Sequence, residues 1–395
     1  MMRGWKFFKT KIISIIFVLY LIFLVLFTKS NFNAAKKGLF LWANNVVPSL
    51  FPFFVAVELL KHTNFVYFLS IKLEKAMKPI FNLPGVSSFP FIMGLISGYP
   101  VGAKIVSDLY EKKLCTKEEA ERMLSFTNNS GPLFIIGTVG CSFYSSSTIG
   151  IILLCTHIAA SISVGIILGI KSRINEKANN FEISKIRQGS TKRFSKKSFD
   201  FIRNRFNDRK NLDNAKNRNY SSATQNFNDS TNSSQTSSLL YQDDIRLSEL
   251  GGILGSAIIS ATKSVLMIGG FVTIFSVVLS ILDSTKALPA FALILAQILH
   301  IKPDYIVGFL TGFLEFTNGL YRISEIHSKS ISINLILSAF IIGFGGISVT
   351  LQVLNIISKN KLSIRTYIFG KLLHGALASL YTYLILSIPL FNFNL

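Results

Sequence analysis

Long apolar stretches separated by short polar ones run along most of this 395-residue chain. Many are long enough to cross a membrane as helices, which takes about 20 residues each. They predict spans near Ile12–Thr28, Phe40–Leu60, Leu124–Phe143, Ile149–Ile170, Val265–Leu282, Ile331–Ile357 and Tyr367–Ile388, with a shorter apolar run at Phe65–Ile71. The pattern therefore predicts an all-α polytopic membrane protein.

A short glycine-broken pattern occurs in each hydrophobic half of the chain. Gly94–Tyr99 has the sequence GLISGY and Gly308–Phe313 has GFLTGF, and polar residues that lipid would not tolerate follow both copies. Nearly the same offset pairs Ser125 with Ser338 and Gly131 with Gly345. Duplicated broken segments of this kind are typical of transporters whose substrate site is built from two repeats.

Positive charge orients these segments in the membrane. The N-terminus and the polar stretch 171–247, basic at first and then rich in Asn and Ser, should both be cytoplasmic. With these two parts in the cytoplasm, the chain enters the first repeat from the outside of the membrane and the second repeat from the inside. The broken region Phe89–Ile105 enters the membrane and returns to the same side. This order is an inverted-topology repeat with re-entrant segments. The predicted parts are a retained N-terminal anchor with its loop (1–38), a first repeat (39–170), a disordered linker (171–247) and a second repeat (248–395).

Composition supports the membrane assignment and argues against other classes. Half the residues are hydrophobic and only 15% are charged, below the quarter usual in soluble domains. Much of the net charge of +21 lies in the linker, without aromatic residues at a stacking spacing, which favours anionic lipid headgroups over nucleic acid. The three cysteines and five histidines show no disulfide or metal-ligand spacing. With no nucleophile elbow, P-loop or dinucleotide motif in a credible context, we expect no enzyme, cofactor or metal site.

Polar residues at membrane depth form the candidate substrate site. Gly and Pro at such depth free backbone groups that must face protein, water or a substrate. Lys104 at the membrane centre would cost about 2.5–3.5 kcal/mol, so it should bind an anion, find a partner or reach the interface near Asp108. Glu315 could pair with Lys104, hold a coupling cation or lie in water. The asparagines could recognise a polar ring or carboxylate, or bond between packed helices. The candidates are Ser97, Gly98, Tyr99, Pro100, Gly102, Lys104, Thr127, Asn128, Asn129, Ser130, Gly131, Glu315, Thr317, Asn318 and Gly319.

The run GLISGYPVGAKIVSDLYEKKLCTKEEAERMLSFTNNSGPLFIIGTVG (Gly94 to Gly140) resembles the signature of the YlbJ-type sporulation integral membrane proteins. The regions Ala261–Leu282 and Gly308–Ser324 are similar to the rest of that family, so the resemblance covers both halves and omits the linker. It implies a nucleoside-recognition or gate domain related to concentrative nucleoside transporters. In that fold, re-entrant hairpins of two inverted repeats meet at the substrate site.

The resemblance also implies a role in endospore formation, in which dipicolinic acid leaves the mother cell across the outer forespore membrane. This pyridine dicarboxylate is a dianion and would suit Lys104, the N-termini of broken helices and the Asn128 and Asn129 amides. The energy source stays open, as does any role of calcium. The partners implied are the anion and the lipid bilayer, and a homo-oligomer is compatible with the related fold. Two alternatives remain: a nucleoside-type permease of the same fold, and a non-transporting membrane scaffold whose basic linker recruits partners.

Overall fold

The computed structural model describes residues 2–61, 72–189, 250–327 and 331–388, and within these ranges all regular structure is helical. The helices are α1 Met2–Leu26, α2 Thr28–Leu41, α3 Val47–Lys61, α4 Lys72–Phe81, α5 Ser88–Ser97, α6 Val101–Glu111, α7 Lys117–Thr127, α8 Phe134–Phe143, α9 Ser147–Gly189, α10 Leu250–Ser284, α11 Ala287–Leu299, α12 Pro303–Leu314, α13 Phe316–Ser324, α14 Ser332–Phe344, α15 Gly346–Ile357 and α16 Arg365–Leu386. Helix α8 is π-helical, and a π-helical segment, Trp42–Val46, joins α2 to α3.

Several of these helices are long and apolar enough to cross a membrane. Within the described ranges they are Ser147–Glu176 of α9, all of α10, Ser332–Asn360, which contains α14 and α15, and α16. Two bent pairs qualify when each is taken together: Ser14–Leu26 with Thr28–Val46, bent by 99°, and Lys72–Phe81 with Gly85–Ser97, bent by 103°. The predicted class, an all-α polytopic membrane protein, is confirmed.

Some predicted segments differ in detail from the helices observed. The anchor predicted at Ile12–Thr28 ends at the 99° bend, and Phe40–Leu60 lies within a helical path that begins at Thr28. The span predicted at Leu124–Phe143 is interrupted at 128–131, because Gly131 and Pro132 do not favour a continuous helix.

The chain divides into two compact units. One contains Met1–Gly169 and Asp243–Leu395, and the other contains Ile170–Gln242. The described part of the second unit continues α9 as helix to Gly189, whereas the sequence predicted no structure from residue 171. The rest of the predicted linker and the Phe65–Ile71 run lie outside the described residues.

In the first unit, two sets of helices follow one another in the same order. The first set is a hairpin (α5 and α6), a broken helix (α7 and α8) and a long span (α9). The second set is a hairpin (α12 and α13), a broken helix (α14 and α15) and a span (α16). Local signals define the element ends: α7, for example, begins with a capping box in which Glu119 accepts from the Thr116 backbone N–H at 2.7 Å. The predicted repeat is therefore visible as a repeated order of elements.

Candidate functional site

The tip of the first hairpin packs against the break in its own broken helix. Gly98 ends α5 with φ +74° and ψ −170°, a backbone conformation that is open almost only to glycine. A Cβ added at Gly98 would lie 2.6 Å from the backbone nitrogen of Gly131. The two backbones approach so closely that a side chain at position 98 has no space.

The second hairpin repeats this arrangement. The break between α14 and α15 lies at Gly345 and Gly346, with φ of +82° and +77°. A Cβ added at Gly346 would lie 3.1 Å from the Gly312 carbonyl oxygen and 3.2 Å from the Phe316 nitrogen. In both halves, glycines at the break allow the hairpin tip to lie against it.

Each tip also contacts the broken helix of the other half. The Tyr99 hydroxyl donates to the Ile342 carbonyl at 3.4 Å, and the rings of Phe316 and Phe134 lie 5.0 Å apart. The Tyr99 and Phe316 rings meet edge to face at 6.0 Å. Such reciprocal contacts are expected of two inverted repeats related by a pseudo-two-fold axis.

A small cavity of about 30 Å³ lies where the two tips meet. Its volume is that of roughly one water molecule. The Ser97 hydroxyl is buried and has no hydrogen-bond partner among the described residues. Six of the predicted site residues line this cavity: Ser97, Gly98, Tyr99, Ser130, Gly131 and Glu315.

Glu315 forms the tip of the second hairpin and is 1% exposed. It lies between α12 and α13, and its Oε2 accepts from the Asn318 backbone N–H at 2.7 Å and from Asn318 Nδ2 at 2.9 Å. The carboxylate thus caps α13 at the end where the helix dipole favours negative charge. Asn318 Nδ2 also donates to Ser276 Oγ of α10 at 3.1 Å, so the tip is bound to a neighbouring span.

A fully buried lysine lies beside the break in the first half. Lys371 of α16 donates to the Asn128 carbonyl at 3.0 Å, and its amine lies 3.3 Å from His374 Nδ1. The amine also lies 5.3 Å from the centre of the Tyr99 ring. Among the described residues no carboxylate lies within 4.0 Å of this amine. An ionisable group at such depth marks a functional site by default.

Two stacked histidines extend this cluster to the other side of the break. The His157 and His374 rings lie 4.4 Å apart, and His374 Nε2 lies 2.9 Å from the His157 carbonyl. His374 therefore carries its proton on Nε2 and offers Nδ1 to the Lys371 amine. His157 Nε2 accepts from the Ser130 backbone N–H at 3.3 Å. Side chains from α9 and α16 thus satisfy a C=O and an N–H that the break leaves without helical partners.

Sequence reasoning missed Lys371, His157, His374 and Tyr367. Tyr367 receives a hydrogen bond from Asn128 Nδ2 at 3.3 Å and is fully buried. A signal was present: Tyr367, Lys371 and His374 follow the i, i+4, i+7 spacing of one helix face, and a lysine inside the apolar span Tyr367–Ile388 needs a partner. The histidines appear scattered in sequence because they come from different spans.

Four other predicted residues are not among those that line the tip cavity: Gly102, Thr127, Asn129 and Gly319. Thr127 donates to the Met123 carbonyl at 2.8 Å within its own helix. Asn129 Nδ2 donates to the Phe126 carbonyl at 2.7 Å and to Ser161 Oγ at 3.1 Å. A side chain at Gly102 or Gly319 would collide with the backbone of an adjacent segment, Thr127 and Gly312 respectively. These glycines therefore allow close helix packing.

The remaining candidates lie around this arrangement. Pro100 and Asn318 are partly buried and Thr317 is fully buried. Lys104 is exposed on α6, and neither Lys104 nor Lys371 is among the residues lining the tip cavity. A role for Lys104 in binding stays a prediction, and the cation that the structure brings next to the break is Lys371. Among the described residues no group of three or more His, Cys, Asp or Glu could hold a metal ion.

Comparison with known proteins identifies the class first. Residues 43–169 match the family model described as Gate: Nucleoside recognition, a region that includes the first hairpin and the first broken helix. The chain is thus an integral membrane protein with a gate domain.

The particular family follows from a curated relative. The chain is 31% identical over 360 residues to the "Sporulation integral membrane protein YlbJ" of Bacillus subtilis (strain 168), an alignment that covers 90% of this chain and 78% of the relative. The chain belongs to the YlbJ family of sporulation integral membrane proteins, as the resemblance implied. No solved structure matches the chain.

Proposed function

We propose that this protein is a transporter that moves dipicolinate out of the mother cell across the outer forespore membrane. Membership of a family named for sporulation and the match to a gate domain support this role. The observation that carries the proposal is the meeting of two glycine-broken hairpin tips beside a buried lysine. Transporters built from repeats place their substrate site at such a junction.

The chemistry of the junction suits a rigid dianion. Lys371 supplies a buried amine that donates to the Asn128 carbonyl and has no carboxylate within 4.0 Å among the described residues. The Ser97 hydroxyl, which has no hydrogen-bond partner in the part of the chain that the structure describes, supplies a donor at the tip cavity. We assign to Lys371 the anion-binding role that the sequence suggested for Lys104, because Lys371 lies at the break and Lys104 is exposed on another helix.

The cavity volume indicates a closed state of this site. At about 30 Å³, the cavity is far below the roughly 300 Å³ at which small-molecule pockets begin. A pyridine dicarboxylate therefore enters only after the tips separate. Since Gly98 packs against Gly131 and Tyr99 against Phe316, opening breaks these contacts, and we place the gate at them.

Uptake of labelled dipicolinate into proteoliposomes tests the proposal, with uridine as the competing ligand. We expect dipicolinate uptake that uridine does not reduce. Lys371→Met should abolish this uptake, whereas the matched variant Lys104→Met should retain most of it. Ser97→Ala serves as a second site variant that keeps the fold. Absence of dipicolinate uptake by the unaltered protein would refute the proposal.

The description of the matched family model favours a nucleoside-type permease as the second candidate. In that case the neutral polar lining of the tip cavity, including Ser97, Ser130 and Gln352, would bind a ribosyl ligand. Uridine uptake without dipicolinate uptake would establish this function instead. If Lys371→Met then transported uridine normally, the buried amine would have a structural role.

A further inference from the structure

A second and much larger cavity, of about 870 Å³, lies beside α2, α10 and the second hairpin. We call it the outer chamber. Most of the residues that line it carry polar side chains, and Phe40, Leu41 and Leu279 add apolar surface. The charged or amide side chains that matter here are Lys36, Lys37, Asp283, Asn318, Arg322 and Glu325.

Helix α2 places the two lysines of the chamber at membrane depth. It runs antiparallel to α10: Ser30 Oγ lies 3.0 Å from Ser280 Oγ near one end, and Trp42 Nε1 donates to the Val265 carbonyl at 2.9 Å near the other. Between these contacts Gly38 packs directly on Ser276. The exposed lysines at 36 and 37 are therefore level with the apolar run of a spanning helix. Since an ammonium group that faces hydrocarbon is costly, we expect the outer chamber to hold water.

The charges in the chamber favour an anion. Arg322 Nη2 pairs with Asp283 Oδ2 at 3.3 Å, which leaves Glu325 as the other acidic residue in the wall. Among the described residues no carboxylate lies within 4.0 Å of the Lys36 or Lys37 amine. The wall thus carries three positive side chains (Lys36, Lys37 and Arg322) and two negative ones (Asp283 and Glu325), and this excess of positive charge favours an anionic ligand.

Asn318 connects the chamber to the gate. Its side chain lines the chamber and bonds both Ser276 Oγ at 3.1 Å and Glu315 Oε2 at 2.9 Å. Glu315 in turn lines the tip cavity. Asn318 and Glu315 thus connect the wall of the chamber to the closed tips of the hairpins.

We propose that the outer chamber is a second anion site, where Lys36 and Lys37 hold the dicarboxylate after it has passed the hairpin tips. The site rests on the proposed function for the identity of its ligand. The residues of α10 that line the chamber run from Ser276 to Asp283, toward the C-terminal end of that helix. The N-terminal end of α10 is the end that follows the basic linker. If the linker is cytoplasmic, the chamber opens on the outer side and receives the substrate on release.

Thiol labelling of the full-length protein tests the chamber independently of transport. The background carries Cys141→Ala and Cys155→Ala, which remove the exposed cysteines, and the reporter is Lys37→Cys. In intact, non-sporulating cells that produce the protein in their cell membrane, we expect a membrane-impermeant anionic thiosulfonate to modify the reporter about tenfold faster than a cationic one, relative to their rates with free thiol. Adding Lys36→Gln should reduce this preference. The control is Lys359→Cys, in the basic stretch Lys359–Arg365 between the last two predicted spans, whose positive charge predicts a cytoplasmic position. It should react only after permeabilisation.

Ligand protection then tests the site itself. Dipicolinate should slow modification of the reporter severalfold, whereas the uncharged pyridine-2,6-dicarboxamide should not. A reporter that stays unmodified in intact cells, at position 37 and at a second position, Asn33→Cys, would overturn the chamber. Modification without dipicolinate protection would overturn the anion site, and the uptake assay on the same protein would show whether dipicolinate transport had failed with it.

Discussion

The contact between the two glycines of the first repeat predicts that Gly98→Ala is strongly destabilising. Gly98 has φ +74° and ψ −170°, and an added methyl group would meet the backbone nitrogen of Gly131 at 2.6 Å. A backbone atom cannot move aside by changing rotamer. The hairpin tip must therefore move away from the break, or the backbone at position 98 must change.

Two terms set the size of this effect. Holding a non-glycine residue in that backbone region costs about 1–3 kcal/mol. Ordinary contact lies near 3.4 Å, so the 2.6 Å approach requires a shift of about 0.8 Å, and overpacking of this kind costs about 1–3 kcal/mol. Together these terms predict a loss of about 2–6 kcal/mol in the free energy of unfolding.

Titration with SDS in mixed micelles measures the free energy of unfolding, and Gly270→Ala is the matched control. Gly270 is an exposed helical residue of α10, and an added Cβ would meet nothing within 4 Å. Alanine should stabilise that helix by about 0.5–1 kcal/mol. If Gly98→Ala unfolds like the control variant, the first hairpin tip and the break at Gly131 are not packed backbone to backbone, and the gate proposed here is wrong.

Three further predictions concern the hydrogen bonds around the site. Trp42→Phe removes the hydrogen bond to the Val265 carbonyl at 2.9 Å and should lower the free energy of unfolding, measured by SDS titration, by about 0.5–1.5 kcal/mol. An unchanged free energy of unfolding would contradict this prediction. Glu315→Gln keeps an acceptor for the Asn318 N–H at 2.7 Å, so Glu315→Ala should be less stable than Glu315→Gln by about 1–3 kcal/mol, and equal stability would rule out the cap. Asn334 Nδ2 donates to two carbonyls at the end of α13, at 2.8 and 2.9 Å, and Asn334→Ala removes this donor. This substitution should lower the free energy of unfolding by about 2–4 kcal/mol. Faster amide exchange at the end of α13 would be its diagnostic sign.

Local sequence signals mark the glycines at the breaks but predict continuous spans at Leu124–Phe143 and Ile331–Ile357, and they do not specify the partners of the groups exposed there. The spacing of Gly131 and Gly345 predicted matching positions, and both lie at the break of a broken helix. The same reasoning chose Lys104 as the membrane cation, because it follows the glycine motif closely. Its exposure on α6 depends on the direction in which that helix faces, which sequence spacing does not specify.

The sequence by itself determined the membrane environment, the helical class and the duplicated glycine-broken motifs of the two hairpins. These properties depend on hydrophobicity summed over about 20 residues and on the local geometry of glycine and proline. Only the tertiary structure decided that Lys371 and His157 satisfy the break at Asn128 and Ser130. Those partners lie 243 and 27 residues apart in the chain. Helix packing alone brings them together, since any polar group in a span must find some partner and its own sequence does not specify which one.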